Sequence, residues 1–243
     1  LCGTTPNGGN QGAGTAFYLN PDASGFNLIR SFANPPDATN PQSDFAVAGS
    51  RFFGTSFGGG TNGTGTILVA QTNGTVSIIR SFAKLSADNA TKSGGASPGA
   101  PLILSGNMLF GTTTAGDSAA NGTVFSANTN GSAFSVLHDF SPFDSGTGTN
   151  TDGAVPWSGL ILLGNTLYGT ASAGGAGGNG IVFSLNTNGG GFTVLHSFSP
   201  MDSLATTNDD GAIPFGGLVL SGNLLCGTTA AGGVTLLRDR DDV

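Results

Sequence analysis

Four basic side chains recur at one place in a repeating pattern: Arg30, Arg80, His138 and His196. Each sits in a run that alternates apolar and polar residues, as in Phe192-Thr193-Val194-Leu195-His196-Ser197-Phe198. Side chains of these types can bind acidic ligands, and imidazole can ligate a metal or move a proton. The recurrence equally suits a structural role, in which the polar tip of an outermost strand reaches water or a loop carbonyl while its stem covers apolar surface. Repeated units diverging from an axis would hold these groups too far apart to share a metal, and two histidines without a third clustered ligand do not make a zinc site. His138 precedes Asp139, but neighbouring strand residues point to opposite faces, so the two cannot form an orienting acid–base pair.

Aspartates gather in the segments that follow these runs: Asp37 and Asp44, Asp88, Asp144 and Asp152, then Asp202, Asp209 and Asp210. Two carboxylates in one pocket could cleave glycosides, and several oxygens could hold calcium. Asn208-Asp209-Asp210-Gly211 is the best calcium candidate, with Asp209 and Asp210 as ligands. No segment reproduces the twelve-residue calcium loop with its closing glutamate, and solvated loop carboxylates are the simpler reading. No other cofactor is expected. Trp157, the only tryptophan, lies in Pro156-Trp157-Ser158-Gly159. It could stack on a sugar, with Asp202, Asn208, Asp209 and Asp210 as polar candidates. An apolar plug is the alternative, because Pro101-Leu102 and Pro214-Phe215 stand at comparable places. The glycine tracts Gly58-Gly59-Gly60 and Gly174-Gly175-Ala176-Gly177-Gly178 precede strands and have no following lysine, so they lack the mechanism of a phosphate loop. No serine has a nucleophile-elbow context, which weighs against an enzyme.

What positions these groups is a tandem repeat. Leu1-Cys2-Gly3-Thr4, Phe52-Phe53-Gly54-Thr55, Leu109-Phe110-Gly111-Thr112, Leu167-Tyr168-Gly169-Thr170 and Leu225-Cys226-Gly227-Thr228 are versions of one string. Their glycines are 51, 57, 58 and 58 residues apart. The units run approximately 1–53, 54–110, 111–168 and 169–226, with a partial unit at 227–237 and a charged, non-repeating tail at 238–243. Together, residues 1–237 form one domain, since stacked repeats share a continuous core.

Each unit holds four short strand candidates, which in the clearest unit are 160–163, 165–170, 180–185 and 192–198. The alternation in the fourth puts Phe192, Val194, His196 and Phe198 on one face, and Phe134, Val136, His138 and Phe140 likewise. Tight Gly-Asn turns (Gly106-Asn107, Gly164-Asn165, Gly222-Asn223) join strands one and two, and Asn-rich turns join three and four. Longer connections follow strands two and four. In a meander alternate connections emerge on the same side, so both long loops share one face. The expectation is an all-β chain forming a β-propeller of about four four-stranded blades, or part of a larger ring. A β-solenoid is the alternative.

The chain carries a net charge of −7 with seven basic residues, and only 9% of its residues are charged. Without clustered Lys or Arg, nucleic acid is not an expected partner. No apolar run is long enough for a membrane span. The chain opens in mid-repeat without an initiator methionine or signal peptide, as a trimmed product or fragment would. Cys2 and Cys226 occupy one repeat position, filled elsewhere by Phe53, Phe110 and Tyr168, and read as small core hydrophobes. A disulfide between them requires ring closure.

Leu167-Tyr168-Gly169-Thr170, Gly180-Ile181-Val182-Phe183-Ser184-Leu185-Asn186, Phe192 to Phe198, and Asp210-Gly211-Ala212-Ile213-Pro214 with Gly217-Leu218-Val219-Leu220 resemble the bacterial tandem repeats called GloVer. The resemblance reaches to about Thr229 and is weakest in the first two units. It implies a secreted or cell-surface bacterial protein, since members are found in exported proteins, and implies no defined enzymatic activity. The functional expectation is a non-enzymatic scaffold outside the cytoplasm that binds a protein or glycan through its long-loop face. A glycan-active hydrolase or lyase using loop carboxylates, and a purely structural envelope spacer, are the alternatives.

Overall fold

The computed structural model describes residues 1–83, 94–116, 120–144, 146–202 and 207–233. Among these residues there is no helix, and the strands form separate antiparallel sheets. Sheet one contains β1 (Cys2–Thr5), β2 (Thr15–Tyr18) and β3 (Asn27–Ser31). A two-residue ladder of β4 (Ala38–Thr39) with β7 (Gly58–Gly59) links it to sheet two, which contains β5 (Ala46–Ala48), β6 (Arg51–Ser56), β8 (Thr66–Gln71) and β9 (Val76–Ser81). Sheet three contains β10 (Ile103–Ser105), β11 (Met108–Thr113), β12 (Thr123–Asn128) and β13 (Ser135–Asp139). Sheet four contains β14 (Ile161–Leu163), β15 (Thr166–Ala171), β16 (Ile181–Asn186) and β17 (Thr193–Ser197). Sheet five pairs β18 (Val219–Ser221) with β19 (Leu224–Cys226).

Each four-stranded sheet is a meander whose strands pair in chain order. A solenoid would pair strands of successive coils in parallel along an axis, so these antiparallel sheets exclude that alternative. None of the described residues belongs to a helix long and apolar enough to cross a membrane. Both cysteines are free: Cys2 is half-buried and Cys226 exposed. The charged tail and Asp88 lie outside the described residues.

The core lies between sheets. Sheet one contributes Ala16, Ile29 and Phe32 and sheet two Phe52, Leu68 and Ala70 to one buried cluster. Phe53, Ile67, Val69 and Phe82 of sheet two meet Leu102, Leu109, Phe125 and Ala127 of sheet three. Phe110, Val124 and Phe140 of sheet three meet Leu160, Leu167, Phe183 and Leu185 of sheet four. Adjacent strand-three residues such as Val124 and Phe125 therefore face opposite neighbours, as the period of two requires. Burial of each such side chain contributes on the order of 2 kcal/mol, enough for inter-sheet packing to hold the array.

The Gly-Thr string has a physical cause at both residues. A Cβ on Gly111 would stand 2.6 Å from the Phe125 ring and 2.7 Å from Leu102, and one on Gly169 would stand 2.7 Å from Phe183 and 2.8 Å from Leu160. The glycine thus admits the strand-three phenylalanine of its own sheet. The threonine hydroxyls then stitch each sheet to the next: Thr4 donates to the carbonyl of Ser43, Thr55 to Ala100, Thr112 to Ser158 and Thr170 to Pro214.

One expectation fails in strand four. The pairing of strands three and four shifts between Ala16 and Phe17, Ile67 and Leu68, Val124 and Phe125, and Val182 and Phe183. In sheet three His138 is opposite Val124 and Val136 opposite Phe125, which leaves Leu137 as an extra residue. Such a bulge shifts the side-chain phase by one. Phe134 consequently packs back on sheet two, whereas Leu137, His138 and Phe140 face sheet four. Phe134 and His138 do not share a face.

Candidate functional site

The bulge gives the recurring basic position its partners. His138 stacks on Phe192 of the next sheet, with ring centroids 3.7 Å apart and planes at 6°. Arg80 does the same from sheet two, its guanidinium carbon 3.4 Å from the centroid of Phe134. The tip also binds the loop that follows its own strand. Arg30 pairs with Asp37 at 2.7 Å, His138 with Asp152 at 3.0 Å and His196 with Asp210 at 2.9 Å. Arg30, His138 and His196 clip a strand to the following loop, while Arg80 and His138 reach the adjacent sheet. The expected loop carbonyl or water is replaced by a carboxylate, and Asp37, Asp152 and Asp210 are anchors instead of solvated groups. Burial pulls the Arg80 pKa below its ordinary value.

Asp152 accepts further hydrogen bonds from the Ser141 N–H and hydroxyl. Partial burial pushes its pKa up. The hydrogen bonds from His138 and Ser141, with the His138 charge, outweigh that and hold the carboxyl below the usual carboxylate range. Asp210 is lowered for the same reasons, against a burial effect of opposite sign. A depressed carboxyl stabilises the fold above its unfolded value of about 3.9 and loses that contribution as pH falls through the folded value. Stability should therefore be insensitive to this group from pH 7 to about 5 and should decline below about pH 4. Asp152→Asn is expected to cost about 1–2 kcal/mol at pH 7 and to flatten the acid limb of a urea-denaturation pH series. An unchanged acid limb would show that the clip contributes nothing.

The long loops themselves are pinned by asparagines. Asn150 accepts from the N–H groups of Gly153 and Gly175 and donates to the carbonyls of Ser141 and Gly153. Asn208 repeats this, accepting from Gly211 and Gly233 and donating to Ser199 and Gly211. Loops following strand four also bond to loops following strand two, through Ala96 with Ala115, Ala154 with Ala173 and Ala212 with Ala231. Both loop sets therefore lie on one face and brace each other.

Those bridges fix the alignment of the segments leading into strand one. Ala96, Ala154 and Ala212 correspond, so Pro98-Gly99, Pro156-Trp157 and Pro214-Phe215 correspond, and Pro101-Leu102 is not the counterpart of Trp157. Val155 and Ile213, just before the prolines, both have φ of 57°. That conformation is costly for β-branched residues and is held here by their N–H groups donating to Asn121 and Asn179. Each proline packs on the glycine immediately before strand three of the preceding sheet, Gly65, Gly122 or Gly180.

Trp157 of sheet four reaches Phe57, which follows β6 of sheet two, with centroids 5.7 Å apart and planes at 4°. Phe215 of sheet five is also near Trp157, with centroids 6.1 Å apart and planes tilted at 52°. Side chains from sheets two places apart meet only where the sheets converge, so this aromatic row marks the inner edge of the long-loop face. Gly99 of the intervening sheet lies against both rings, where an added Cβ would make ordinary contacts at 3.4 Å from Trp157 and 3.5 Å from Phe57. Phe215 is 50% exposed, and Phe57 and Trp157 are partly exposed.

The five binding candidates are thus divided. Trp157 joins an aromatic row. Asn208 is buried and engaged as a loop pin. Asp210 is turned to His196 and Ser199. Asp209 is exposed beside it, and Asp202 lies in the same loop with its N–H bonded to Thr207. Among the described residues no three His, Cys, Asp or Glu side chains are grouped to hold a metal. Asp210 already serves His196, so the calcium pair Asp209 and Asp210 offers few uncommitted oxygens. The Phe57 and Phe215 partners escaped the sequence reading, although a Pro column offered a signal. The shared spacing of 14 residues in the two His–Asp pairs offered another.

No curated protein matches the sequence. Among solved structures, the chain is similar to one in the crystal structure of a nidogen/laminin complex, with a TM-score of 0.53 and 16% identity, covering 94% of this chain and 71% of that one. It is also similar to the GH74 enzyme of Niastella koreensis, with a TM-score of 0.46 and 13% identity, covering 74% of this chain and 26% of that one. The first likeness places the separate radial sheets among propeller-like folds. The Gloeobacter/Verrucomicrobia repeat model matches residues 1–236, nearly the entire sequence, and the chain belongs to that repeat family.

Proposed function

We propose that the protein is a non-enzymatic scaffold, secreted or displayed at the bacterial cell surface, that uses about four propeller blades to present a long-loop face to a protein or glycan. The observation that carries this reading is the bracing of that face. Loops of unequal length are tied down by Asn150, Asn208, Asp152 and Asp210, leaving exposed side chains on a rigid platform, the usual arrangement of a binding surface. The carboxylates count against hydrolysis. A general acid needs a raised pKa, whereas Asp144, Asp152 and Asp210 are all held low by the hydrogen bonds they accept.

Orientation tests the proposal. In a Cys2→Ser, Cys226→Ser background, one protein is tethered through Asn188→Cys in a short turn and another through Asp209→Cys in a long loop. Both are probed with polysaccharides and purified envelope proteins. Binding is expected when the short-turn side is anchored and should fall at least tenfold when the loop side is anchored. Equal binding in the two orientations, or none in either, would dispose of the long-loop face.

A further inference from the structure

We infer that the Phe57, Trp157 and Phe215 row is a stacking subsite for a neutral glycan chain, an inference that rests on the long-loop face being the binding surface. These rings belong to none of the three buried clusters that hold the sheets together. They are nevertheless arranged. Phe57 and Trp157 lie within 4° of parallel although they come from sheets two and four. The row continues to the half-exposed Phe215. The backbone beneath it is tightly fixed: Ser158 Oγ lies 2.8 Å from Thr170 Oγ1, and Thr170 also donates to the carbonyls of Pro214 and Gly216. Side chains immobilised before binding lose little entropy on binding, which favours a ligand that makes only a few contacts.

The ligand class follows from charge and shape. Residues 57–60, 97–100, 156–159 and 214–217 contain no charged side chain, so the segments that carry the rings offer an ionic ligand no partner of their own. The net charge of −7 disfavours polyanions further. Aromatic faces are electron-rich, and the C–H faces of neutral sugar rings present the complementary edge of positive charge. Hydroxyls at the rim of a stacked sugar can stay in water or reach the neighbouring loop carbonyls. A peptide recognised by its strand edge, helix or charge would need a free sheet edge, a groove or a basic cluster. The aromatic row offers none of these.

Trp157 is the only tryptophan, so its emission reports on the site directly. The protein is titrated with soluble dextran, mixed-linkage β-glucan, xyloglucan and mannan, with polygalacturonate as the anionic control, and affinity electrophoresis is run in parallel. A saturable emission change and retardation by at least one neutral polymer are expected, with neither by polygalacturonate. Phe215→Ala, at the exposed end where folding is least affected, should weaken that binding at least tenfold with an unchanged melting temperature. Trp157→Phe should keep part of the retardation and Trp157→Ala lose it. Absence of both signals with every neutral polymer would overturn the inference, as would unaltered affinity in Phe215→Ala. If the short-turn-tethered protein then still bound an envelope protein, the scaffold reading would stand and only the glycan subsite would fall.

Discussion

Gly180→Ala should destabilise the protein by about 2–5 kcal/mol, seen as a lower urea midpoint with an unchanged slope. Gly180 immediately precedes strand three of sheet four at φ of +100°, and an added Cβ would stand 2.6 Å from the Ala171 carbonyl oxygen and 2.6 Å from Pro214 Cδ. The first cost is conformational, about 1–2 kcal/mol for a side chain forced to positive φ. The second is steric, about 1–3 kcal/mol for overpacking, and the carbonyl belongs to backbone fixed in the sheet. The proline cannot retreat easily because it precedes Phe215 in the braced segment leading to sheet five. Gly164→Ala supplies the control. Its φ is +59°, but nothing lies within 4 Å of the added carbon, so only the conformational cost of about 1 kcal/mol applies. Equal effects of the two substitutions would show that contact between a strand-three start and the next sheet's proline does not hold the array.

Phe125→Ala should cost about 4 kcal/mol. The ring is fully buried between sheets two and three, 5.5 Å from Phe82 and 5.5 Å from Phe134, and lies over Gly111. Removing it leaves a cavity that two neighbouring rings can fill only partly. The pairing with Gly111 makes the prediction sharper. Gly111→Ala alone should cost about 1–3 kcal/mol, because its Cβ meets the Phe125 ring. In the Phe125→Ala background that clash is gone, so the double variant should be more stable than the sum of single effects by at least about 1 kcal/mol. Simple additivity in chemical denaturation would remove the steric explanation of the Gly-Thr string.

Much of the architecture could be read along the chain because each repeat states it again. Gly-Asn turns, Asn-rich turns and the Gly-Thr string act over short range, and agreement between copies spaced 57 or 58 residues apart suppresses accidents. Strand four shows the limit. Phe134, Val136, His138 and Phe140 alternate perfectly as letters, yet an extra residue at Leu137 turns the last two to the opposite face. A bulge depends on how two strands pair and leaves no mark in hydrophobic period alone.

The candidate site was less legible. Trp157 stood out as a lone aromatic, but Phe57 is 100 positions away and belongs to a sheet that is not adjacent. Asn208 and Asp210 looked like ligands because their chemistry permits it. Whether an asparagine contacts a partner or closes a loop depends on the N–H groups that surround it.

From the sequence alone came the repeat, the all-β class, the meander and the collection of long loops on one side, all consequences of local backbone preference and period. Tertiary structure alone decided that Arg30, His138 and His196 clip sheet to loop through Asp37, Asp152 and Asp210, and that three aromatics from separate units meet at the inner edge. Local preference shapes a sheet. Which side chains meet depends on the convergence of several sheets, a distance set by their packed side chains and not by any segment of the chain.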